Sequence, residues 1–413
     1  MARRPLDIVV FGATGFTGRL VAEYLRDANA KADTSAGEPE LRWALAGRSE
    51  ARLAELRRRI DAPDGLPLIA ADANDPAALR ALVRRASVVL STVGPYQLHG
   101  EPLLQACVDE GTDYVDLCGE PAWMARMIAR HHEAARHSGA RIVFSCGFDS
   151  VPFDLGVAFL QHAALVRYGG PLQQVKCHVL KMKGGVSGGT AASLLATIEA
   201  MQRDPSDVQA MADPFALTPG FTGPPQPDTP DARFEPETRS WSAPFALAQI
   251  NTKNIHRSNA LLGHPWGADF VYEERRLMGP GMEGELRARA AARTARLQNA
   301  ALGFAPTRAL IRCFVLPQPG HGPSSQERER GRYALRLSGT TRNGFRMSAR
   351  VEHDRDPGYG STSRIVAECA LSLVYDVPRS VTPGGVWTAG AAMGLALLPR
   401  LQQRAGMRFT LEE

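Results

Sequence analysis

The sequence predicts an α/β protein that begins with a doubly wound parallel sheet and continues into a second, mixed α/β domain. Three observations lead to this fold class. Apolar strand-like runs alternate with amphipathic helical patterns through the first 165 residues, a glycine-rich turn follows the first run, and the pattern changes character after about residue 170. Continuous apolar strands that alternate with helices are typical of parallel sheets covered on both faces.

The N-terminal elements follow one another in a regular order. Six apolar runs are predicted strands: 7–11, 41–47, 67–71, 87–93, 113–117 and 141–145. Amphipathic stretches such as 77–85 and 123–137 lie between them and predict helices. In a sheet of this kind the crossovers are right-handed, and ligands bind at the carboxyl ends of the strands.

The region after residue 170 predicts a different organisation. A glycine cluster at 183–190 leads into a helix from Ala191 to about Arg203, and the proline-rich segment 213–245 predicts a long loop or lid. Further predicted elements are antiparallel strands at 333–338, 345–352 and 364–375, a polar loop at 317–331, a helix at 385–404 and a strand at 407–411. The resulting division is a first domain at 1–165, a mixed α/β domain at 166–380, and a C-terminal helix and strand at 381–413.

Composition narrows the class of protein. Hydrophobic residues make up 44% and charged residues 22% of the 413 residues, with a net charge of +5. These values are typical of a globular protein that buries a sizeable core. Arginine clusters lie beside acidic residues on helical patterns, without interleaved aromatic residues, so we expect no nucleic-acid binding. The six cysteines form no C-x-x-C pair, so we expect no metal site.

We expect a cytoplasmic protein. A short basic stretch leads directly into the glycine turn, without the long apolar core of a signal peptide. No segment has the roughly 20 apolar residues that a membrane-spanning helix requires. The apolar segment 387–398, followed by Arg400, Arg404 and Arg408, leaves peripheral membrane contact as an alternative to a helix packed against the protein.

The glycine turn is the strongest local signal. Gly12-Ala13-Thr14-Gly15-Phe16-Thr17-Gly18 comes directly after the first apolar run and opens a helix. The first glycine permits a tight turn, the second lets the backbone approach phosphates, and the third permits close packing of helix on strand. We predict a Rossmann-type domain in which a dinucleotide pyrophosphate is bound by Gly12, Thr14, Gly15, Phe16 and Thr17. The alternative is a structural turn without a ligand.

The end of the second predicted strand indicates which dinucleotide binds. NAD-selective sites usually carry an acidic residue there, which binds the ribose hydroxyls. This strand ends in Arg48 and Ser49 instead, and a guanidinium pairs with phosphate through a planar, permanently charged fork. We therefore predict NADP, with Arg48 and Ser49 on the 2′-phosphate and Asp72 near the adenine. The alternative is that Arg48 is a solvated residue at the start of a helix.

The loop after the fourth predicted strand should lie beside the nicotinamide. Gly94 permits close approach of the backbone, Pro95 stiffens the turn, and Tyr96 is placed to stack on the nicotinamide or to donate a proton. Asp149 follows the sixth predicted strand, near the end of the first domain. Tyr96 is the first candidate for the catalytic proton donor and Asp149 the second. A packed aromatic residue and a helix cap are the structural alternatives.

Two features of the second region are candidates for substrate binding. Ser187, Gly188, Gly189 and Thr190 precede a helix and would form a nest of backbone amides for a carboxylate, a thioester carbonyl or a phosphate. Arg257 belongs to a cluster of polar residues after the proline-rich segment, and we predict that it helps to position the substrate. For the nest, the alternative is a tight turn between two elements.

Several motifs in order resemble those of the saccharopine dehydrogenase-like oxidoreductases, and the chain is most similar to their trans-acting enoyl reductase branch. The motifs are Gly12 to Gly18, Ala46-Gly47-Arg48, Val93 to Tyr96, Tyr114 to Glu120, Gly147 to Pro152, Ser187 to Thr190 and Gly384 to Thr388. The resemblance implies an N-terminal NADP-binding Rossmann domain, a mixed α/β substrate domain, and a final helix that packs back on the first domain.

The same resemblance implies an activity. Hydride from NADPH would reach an activated double bond in a lipid-like acyl substrate, small or carrier-bound, with a partner synthase holding the chain. Saccharopine-type dehydrogenases instead reduce an imine formed from an amino acid and an aldehyde acid, which is the first alternative. A non-catalytic NADP-binding sensor or scaffold is the second.

Overall fold

The computed structural model describes residues 4–30, 40–185, 187–227, 230–314 and 320–412, which form two seven-stranded sheets and the helices that cover them. The strands are β1 (Leu6–Phe11), β2 (Trp43–Gly47), β3 (Leu68–Ala70), β4 (Ala86–Ser91), β5 (Asp113–Val115), β6 (Arg141–Val143), β7 (Leu172–Lys183), β8 (Arg233–Glu235), β9 (Ser240–Pro244), β10 (Val271–Gly279), β11 (Arg332–Thr341), β12 (Arg346–His353), β13 (Gly385–Trp387) and β14 (Arg408–Glu412). 

The helices lie between these strands. They are α1 (Phe16–Ala30), α2 (Glu50–Arg59), α3 (Pro76–Val83), α4 (Tyr96–His99), α5 (Glu101–Asp109), α6 (Pro121–Ser138), α7 (Val151–Tyr168), α8 (Gly188–Arg203), α9 (Pro205–Ala212), α10 (Ala248–Leu261), α11 (Gly281–Gly303), α12 (Ala305–Phe314), α13 (Ser325–Glu329), α14 (Thr362–Tyr375), α15 (Ala389–Ala392) and α16 (Leu398–Arg400). Short irregular helical turns occupy Pro357–Ser361, Gly394–Leu397 and Leu401–Ala405.

The first sheet is parallel and has the strand order β13-β6-β5-β4-β1-β2-β3. Its central strands are apolar because helices cover both faces, and all six residues of β1 are buried. The strand after β1 in the chain pairs on one side of it, and β4 pairs on the other. The doubly wound prediction is therefore confirmed, and the glycine turn lies at the switch point where ligands bind in such sheets.

The second sheet is mixed and has the order β14-β12-β11-β7-β10-β9-β8. Strands β7 and β10 run parallel, and the other neighbours pair antiparallel. Side chains of β12 alternate between buried and accessible positions, as expected for a sheet with one covered face. Helix α7 packs on that face, where Gly156 lies against Leu337 and Val351. This arrangement confirms the prediction of a second, mixed α/β part.

Two predicted elements of the second region are wrong. The segment 364–375, predicted as a strand, lies in α14, most of whose side chains are buried against α1 and the first sheet. A continuous apolar run does not distinguish a buried strand from a buried helix. The segment 385–404, predicted as one helix, begins with β13 and continues as short turns. Gly394 has a φ of +50° and Pro399 lacks an amide hydrogen, so a regular helix cannot continue through them.

Two predicted loops contain regular structure. The proline-rich segment 213–245 includes the antiparallel pair β8 and β9 near its end. The predicted polar loop 317–331 contains α13, and its residues 317–319 lie outside the described residues.

The C-terminal segment adds an edge strand to each sheet. β13 pairs with β6 in the first sheet, and β14 pairs with β12 in the second. Between them, Ala389, Met393 and Leu397 are buried inside the protein, which is the packed alternative for this apolar segment. No helix in the described part of the chain is long and apolar enough to cross a bilayer.

Candidate functional site

The glycine turn is closely packed at the carboxyl end of β1. Gly12 has a φ of +84°, and a Cβ there would lie 2.6 Å from Cγ2 of Val93 and 2.9 Å from Oγ1 of Thr92. A Cβ at Gly18 would overlap the carbonyl oxygen of Gly12, so only glycine lets α1 approach β1 this closely. The turn therefore requires its first and third glycines for steric reasons.

The same turn presents a site for an anion. Helix α1 begins at Phe16, and its first turn contains no acidic side chain. The first amides of a helix have no acceptor within the helix, and the helix dipole favours negative charge beside them. Thr14 and Gly15 are exposed at this edge, so a ligand can reach the backbone. These properties fit the pyrophosphate of a dinucleotide.

Arg48 lies next to this turn, at the end of β2. Its side chain is exposed and forms no hydrogen bond or ion pair with the described residues. Ser49 caps α2, its Oγ accepting from the backbone amide of Arg52 at 3.3 Å. Asp72 is half-buried after β3 and accepts from the amide of Asn74 at 2.8 Å. An uncommitted guanidinium beside the turn fits the 2′-phosphate of NADP.

Tyr96 faces the interior. Its hydroxyl donates to the carbonyl of Ser91 at 3.2 Å and accepts from the amide of Leu117 at 3.1 Å. The side chain is 5% exposed and packs against Trp123. Burial raises the pKa of Tyr96 well above its ordinary value. Backbone groups occupy the hydroxyl both as donor and as acceptor, which argues against a role in proton donation.

Glu120 fixes the loop that carries Gly94. Its Oε1 accepts from the amide of Tyr96 and its Oε2 from the amide of Gln97, both at 2.9 Å. The two bonds satisfy the first amides of α4, which otherwise has no side-chain cap. Glu120 also bonds the hydroxyl of Ser193. Sequence reasoning did not identify this carboxylate as the anchor of the loop.

Helix α8 spans the site from the glycine turn to the loop at Gly94. Near its start, Thr190 contacts the hydroxyl of Tyr359, whose ring packs on Phe16. Two turns later, Thr197 Oγ1 lies 3.4 Å from Nε2 of Gln97. A Cβ at Gly94 would lie 3.5 Å from Oγ of Ser193, between these points. The second domain therefore covers the carboxyl edge of the first sheet with a helix.

The predicted nest at the start of α8 is largely satisfied by the protein itself. The amide of Ser187 donates to the hydroxyl of Tyr359 at 2.5 Å, and that of Gly188 donates to the carbonyl of His321 at 3.1 Å. Ser187 also caps the helix by accepting from the amide of Thr190 at 3.5 Å. Gly189 is the remaining member with an amide at the helix N-terminus. These bonds favour the tight-turn alternative for most of the segment.

Tyr359 was not identified from the sequence. Its ring lies edge-on to Phe16, with centroids 5.1 Å apart, and its hydroxyl lies 2.8 Å from Oγ1 of Thr190. Asp356, Pro357 and Gly358 before it predict a turn. No local pattern indicates that this turn reaches the glycine loop of the first domain.

Asp149 lies at the junction of the two domains. Its carboxyl group is half-buried beside Gly119, where a Cβ would lie 4.0 Å from Oδ2. It interacts electrostatically with Tyr359 and Glu274. The described residues provide no hydrogen bond to its side chain. Burial raises the pKa of Asp149 to about 6, so a protonated fraction exists near neutral pH.

A buried polar network supports this junction. Ser150 contacts the amide side chains of Asn251, at 3.3 Å, and Asn254, at 2.7 Å. Nδ2 of Asn251 donates to both carboxyl oxygens of Glu274, at 2.9 and 3.2 Å. Burial raises the pKa of Glu274 to about 8. The network fixes the backbone next to Asp149.

Arg257 is buried, and backbone carbonyls engage its guanidinium. Its guanidinium donates to the carbonyls of Leu217 at 2.5 Å and Val386 at 2.6 Å. It is 4% exposed, and burial lowers its pKa to about 10. Both contacts join β13 to the irregular segment before β8, so they give Arg257 a structural role and weaken the prediction that it binds substrate.

No group of three or more metal-ligating side chains occurs among the residues described by the structure. The cysteines with described side chains, Cys107, Cys118, Cys146, Cys177 and Cys369, are buried as free thiols.

Comparisons with known proteins agree with this geometry. Residues 8–143 match the family model of the saccharopine dehydrogenase NADP-binding domain. A trans-acting enoyl reductase of Mycobacterium tuberculosis is 39% identical, with 97% of this chain and 96% of that protein covered. A protein of the same species, named as a candidate trans-acting enoyl reductase, is 42% identical over 96% of both chains. The trans-acting enoyl reductase of Mycobacterium ulcerans is 38% identical, with 97% of both chains covered.

A solved structure shares the fold. The apo saccharopine dehydrogenase (L-Glu forming) of Saccharomyces cerevisiae aligns with a TM-score of 0.54 at 11% identity, covering 99% of this chain and all of that chain. At this identity, the likeness concerns the arrangement of sheets and helices.

Proposed function

Because this chain belongs to the saccharopine dehydrogenase-like family and to its trans-acting enoyl reductases, we propose that it reduces the carbon–carbon double bond of an activated, lipid-like acyl substrate. It is an NADP-dependent oxidoreductase. When bound, NADPH supplies a hydride. The single observation that carries the proposal is the half-buried Asp149 carboxyl group, which lies without a hydrogen-bond partner among the described residues at the domain junction.

The cofactor would lie along the carboxyl edge of the first sheet. Gly12, Thr14, Gly15, Phe16 and Thr17 would hold its pyrophosphate through backbone amides and the helix N-terminus. Arg48 and Ser49 would hold the 2′-phosphate, and Asp72 would lie near the adenine. Gly94, Pro95 and the backbone of Tyr96 would line the nicotinamide side. The exposed backbone at Gly15 and Gly94 supports this placement.

Asp149 is the proton donor that the geometry favours. Reduction of an activated double bond adds hydride to the β-carbon and a proton to the α-carbon. Asp149 would deliver that proton, and its side chain would then be a carboxylate. Its raised pKa suits an acid near neutral pH. Tyr96 is less suited because its buried hydroxyl forms two hydrogen bonds with backbone groups.

Helix α8, which covers the site, would orient the reactants and exclude water during hydride transfer. Reactants must be held in orientation and water must be excluded. Ser193 and Thr197 of α8 lie against the loop of Gly94 and Gln97, which closes this side of the site. Gly189 retains the amide of the predicted nest for a thioester carbonyl.

A substrate held by a separate synthase accords with the name trans-acting carried by the relatives. We propose a carrier-bound or free acyl thioester as the substrate and a partner synthase as its source. The imine alternative would need cationic side chains for two carboxylates, and Arg257 is engaged with backbone carbonyls instead.

The decisive experiment is NADPH oxidation by the full chain with two substrate classes. One class is α,β-unsaturated acyl thioesters of increasing chain length, and the other is a mixture of an amino acid and an aldehyde acid. We expect turnover of the thioesters and its loss in Asp149→Asn, with NADPH affinity retained. Turnover of the imine mixture alone would establish the dehydrogenase alternative. Tight NADPH binding without turnover of either class would establish a sensor or scaffold.

A further inference from the structure

The Phe16 ring is a meeting point of the two domains. Phe16 opens α1 directly after the glycine turn, and its ring lies edge-on to Tyr359. The guanidinium of Arg328 lies 5.8 Å from the centroid of the same ring, and that of Arg19 lies 5.6 Å from it. Of these three neighbours, Tyr359 and Arg328 come from the second domain.

The approach of the second domain to this ring is close. A Cβ at Gly322 would lie 2.6 Å from Cε1 of Phe16, so the segment that carries Arg328 passes directly over the ring. The carbonyl of His321 in this segment accepts from the amide of Gly188 at the start of α8. The segment 321–329 is thus held between the glycine turn and α8.

Hydrogen bonds hold both the side chain and the backbone of Arg328 in position. Its Nη1 donates to the carbonyl of Pro323 at 2.8 Å, and its own carbonyl accepts from the amide of Asp356 at 2.9 Å. Helix α13 is further closed by a capping box between Ser324 and Glu327. The side chain is half-buried. A guanidinium held in this way has little orientational entropy to lose when it binds a ligand.

The charge around the ring is unbalanced. Arg19 and Arg328 repel each other across Phe16, and Arg59 adds to the positive potential at Arg19. Arg19 has a carboxylate neighbour in Glu23 at 3.8 Å. Among the residues that the structure describes, no carboxylate pairs with Arg328. Two guanidinium groups beside a helix N-terminus make a site that favours an anion.

We propose that Arg328 binds the pyrophosphate of the dinucleotide from the second domain and so closes the cofactor site over the glycine turn. The inference rests on the proposed placement of the cofactor. The guanidinium fork matches phosphate oxygens, and its free Nη2 faces no competing acceptor among the described residues. Because the pyrophosphate is common to NADPH and NADH, Arg328 contributes equally to both, whereas Arg48 would contribute to NADPH alone.

Equilibrium titration of the full chain tests this assignment. The variants are Arg328→Ala and Arg328→Gln, and Arg330→Ala is the matched control because Arg330 is exposed two residues further along. The glutamine variant retains a donor for Pro323, which preserves the segment if the alanine variant unfolds. Dissociation constants for NADPH and NADH are measured by cofactor fluorescence, and inorganic pyrophosphate serves as a competitor.

The expected result is a rise of about tenfold or more in both dissociation constants for the Arg328 variants, with weaker competition by pyrophosphate and no change in the control. Unchanged affinities in a folded Arg328→Gln protein would overturn the proposal. A loss confined to NADPH would assign Arg328 to the 2′-phosphate and overturn it as well. If the wild-type chain bound neither dinucleotide, the proposed function itself would fail, which is a separate outcome.

Discussion

Replacing Arg48 with alanine should reduce the preference for NADPH over NADH. Arg48 lies exposed at the end of β2, beside the glycine turn, and forms no bond with the described residues that the change would break. Hydrogen bonds to charged groups contribute about 1.5–3 kcal/mol. Because this guanidinium is exposed and screened by solvent, the lower end applies, and about 1.5 kcal/mol corresponds to roughly a tenfold loss of NADPH affinity.

The assay is a pair of fluorescence titrations at low salt. Wild type and Arg48→Ala are each titrated with NADPH and with NADH, and Arg58→Ala is the control because Arg58 is exposed at the other end of α2. The dissociation constant of NADH should change little. At high salt the NADPH difference should shrink, since screening weakens an exposed charge pair.

Two results would contradict the phosphate-clamp reasoning. The first is equal affinity of the wild-type chain for NADPH and NADH. The second is a loss of NADPH affinity in Arg58→Ala as large as in Arg48→Ala, which would show that general positive charge acts instead of a placed guanidinium.

Three further changes have defined outcomes. Tyr96→Phe should leave turnover at saturating NADPH within about twofold, but lower the free energy of unfolding by about 1–3 kcal/mol, because two buried hydrogen bonds are lost; a large loss of turnover in a stable protein would restore Tyr96 as the donor. Gly18→Ala should lower the free energy of unfolding, measured in urea, by about 1–3 kcal/mol or more, because its Cβ would overlap the backbone of Gly12. The control is Gly65→Ala, whose Cβ would meet no atom within 4 Å and which should leave the free energy of unfolding unchanged. Asp154 is buried in the first turn of α7, where its Oδ2 accepts from the hydroxyl of Ser258 and the amide of Gly390, both at 2.8 Å, and burial raises its pKa to about 7. Its protonated form therefore stabilises the fold below about pH 4, and that stability is lost as pH rises through 7, by up to about 4 kcal/mol. Denaturant titrations from pH 4 to 8 should show that the free energy of unfolding falls less steeply with pH in Asp154→Asn than in the wild type. An identical fall in the two proteins would refute the raised pKa of Asp154.

The sequence predicts best where the physical cause is local. The turn from Gly12 to Gly18 follows from steric demands within a few residues. The preference for NADP is predicted from a single position, because the second strand ends in Arg48 where NAD-selective sites carry an acidic residue. The parallel sheet follows from apolar runs that can only be buried on both faces. Helix α14 was predicted wrongly because eleven of its fourteen residues are buried, and a largely apolar run of this length also fits a buried strand.

The rest of the site depends on contacts between distant segments. Whether Tyr96 faces the cofactor or the interior is decided by Ser91 and Leu117, which no spacing rule connects to it. Arg257 has the chemistry of a ligand-binding residue, but Leu217 and Val386 engage it. Helix α8 has an ordinary start signal in sequence, and its position over the first sheet depends on packing between the two domains.

The placement of the C-terminal edge strands has a consequence for synthesis of the chain. Strand β6 cannot gain its neighbour β13 until almost all of the sequence has left the ribosome, and β12 waits likewise for β14. During that interval β6 and β12 are the edge strands of their sheets, and an exposed edge strand promotes association between chains. Translation that stops early therefore leaves β6 and β12, which are interior strands of the complete sheets, exposed as edge strands with which other chains can pair.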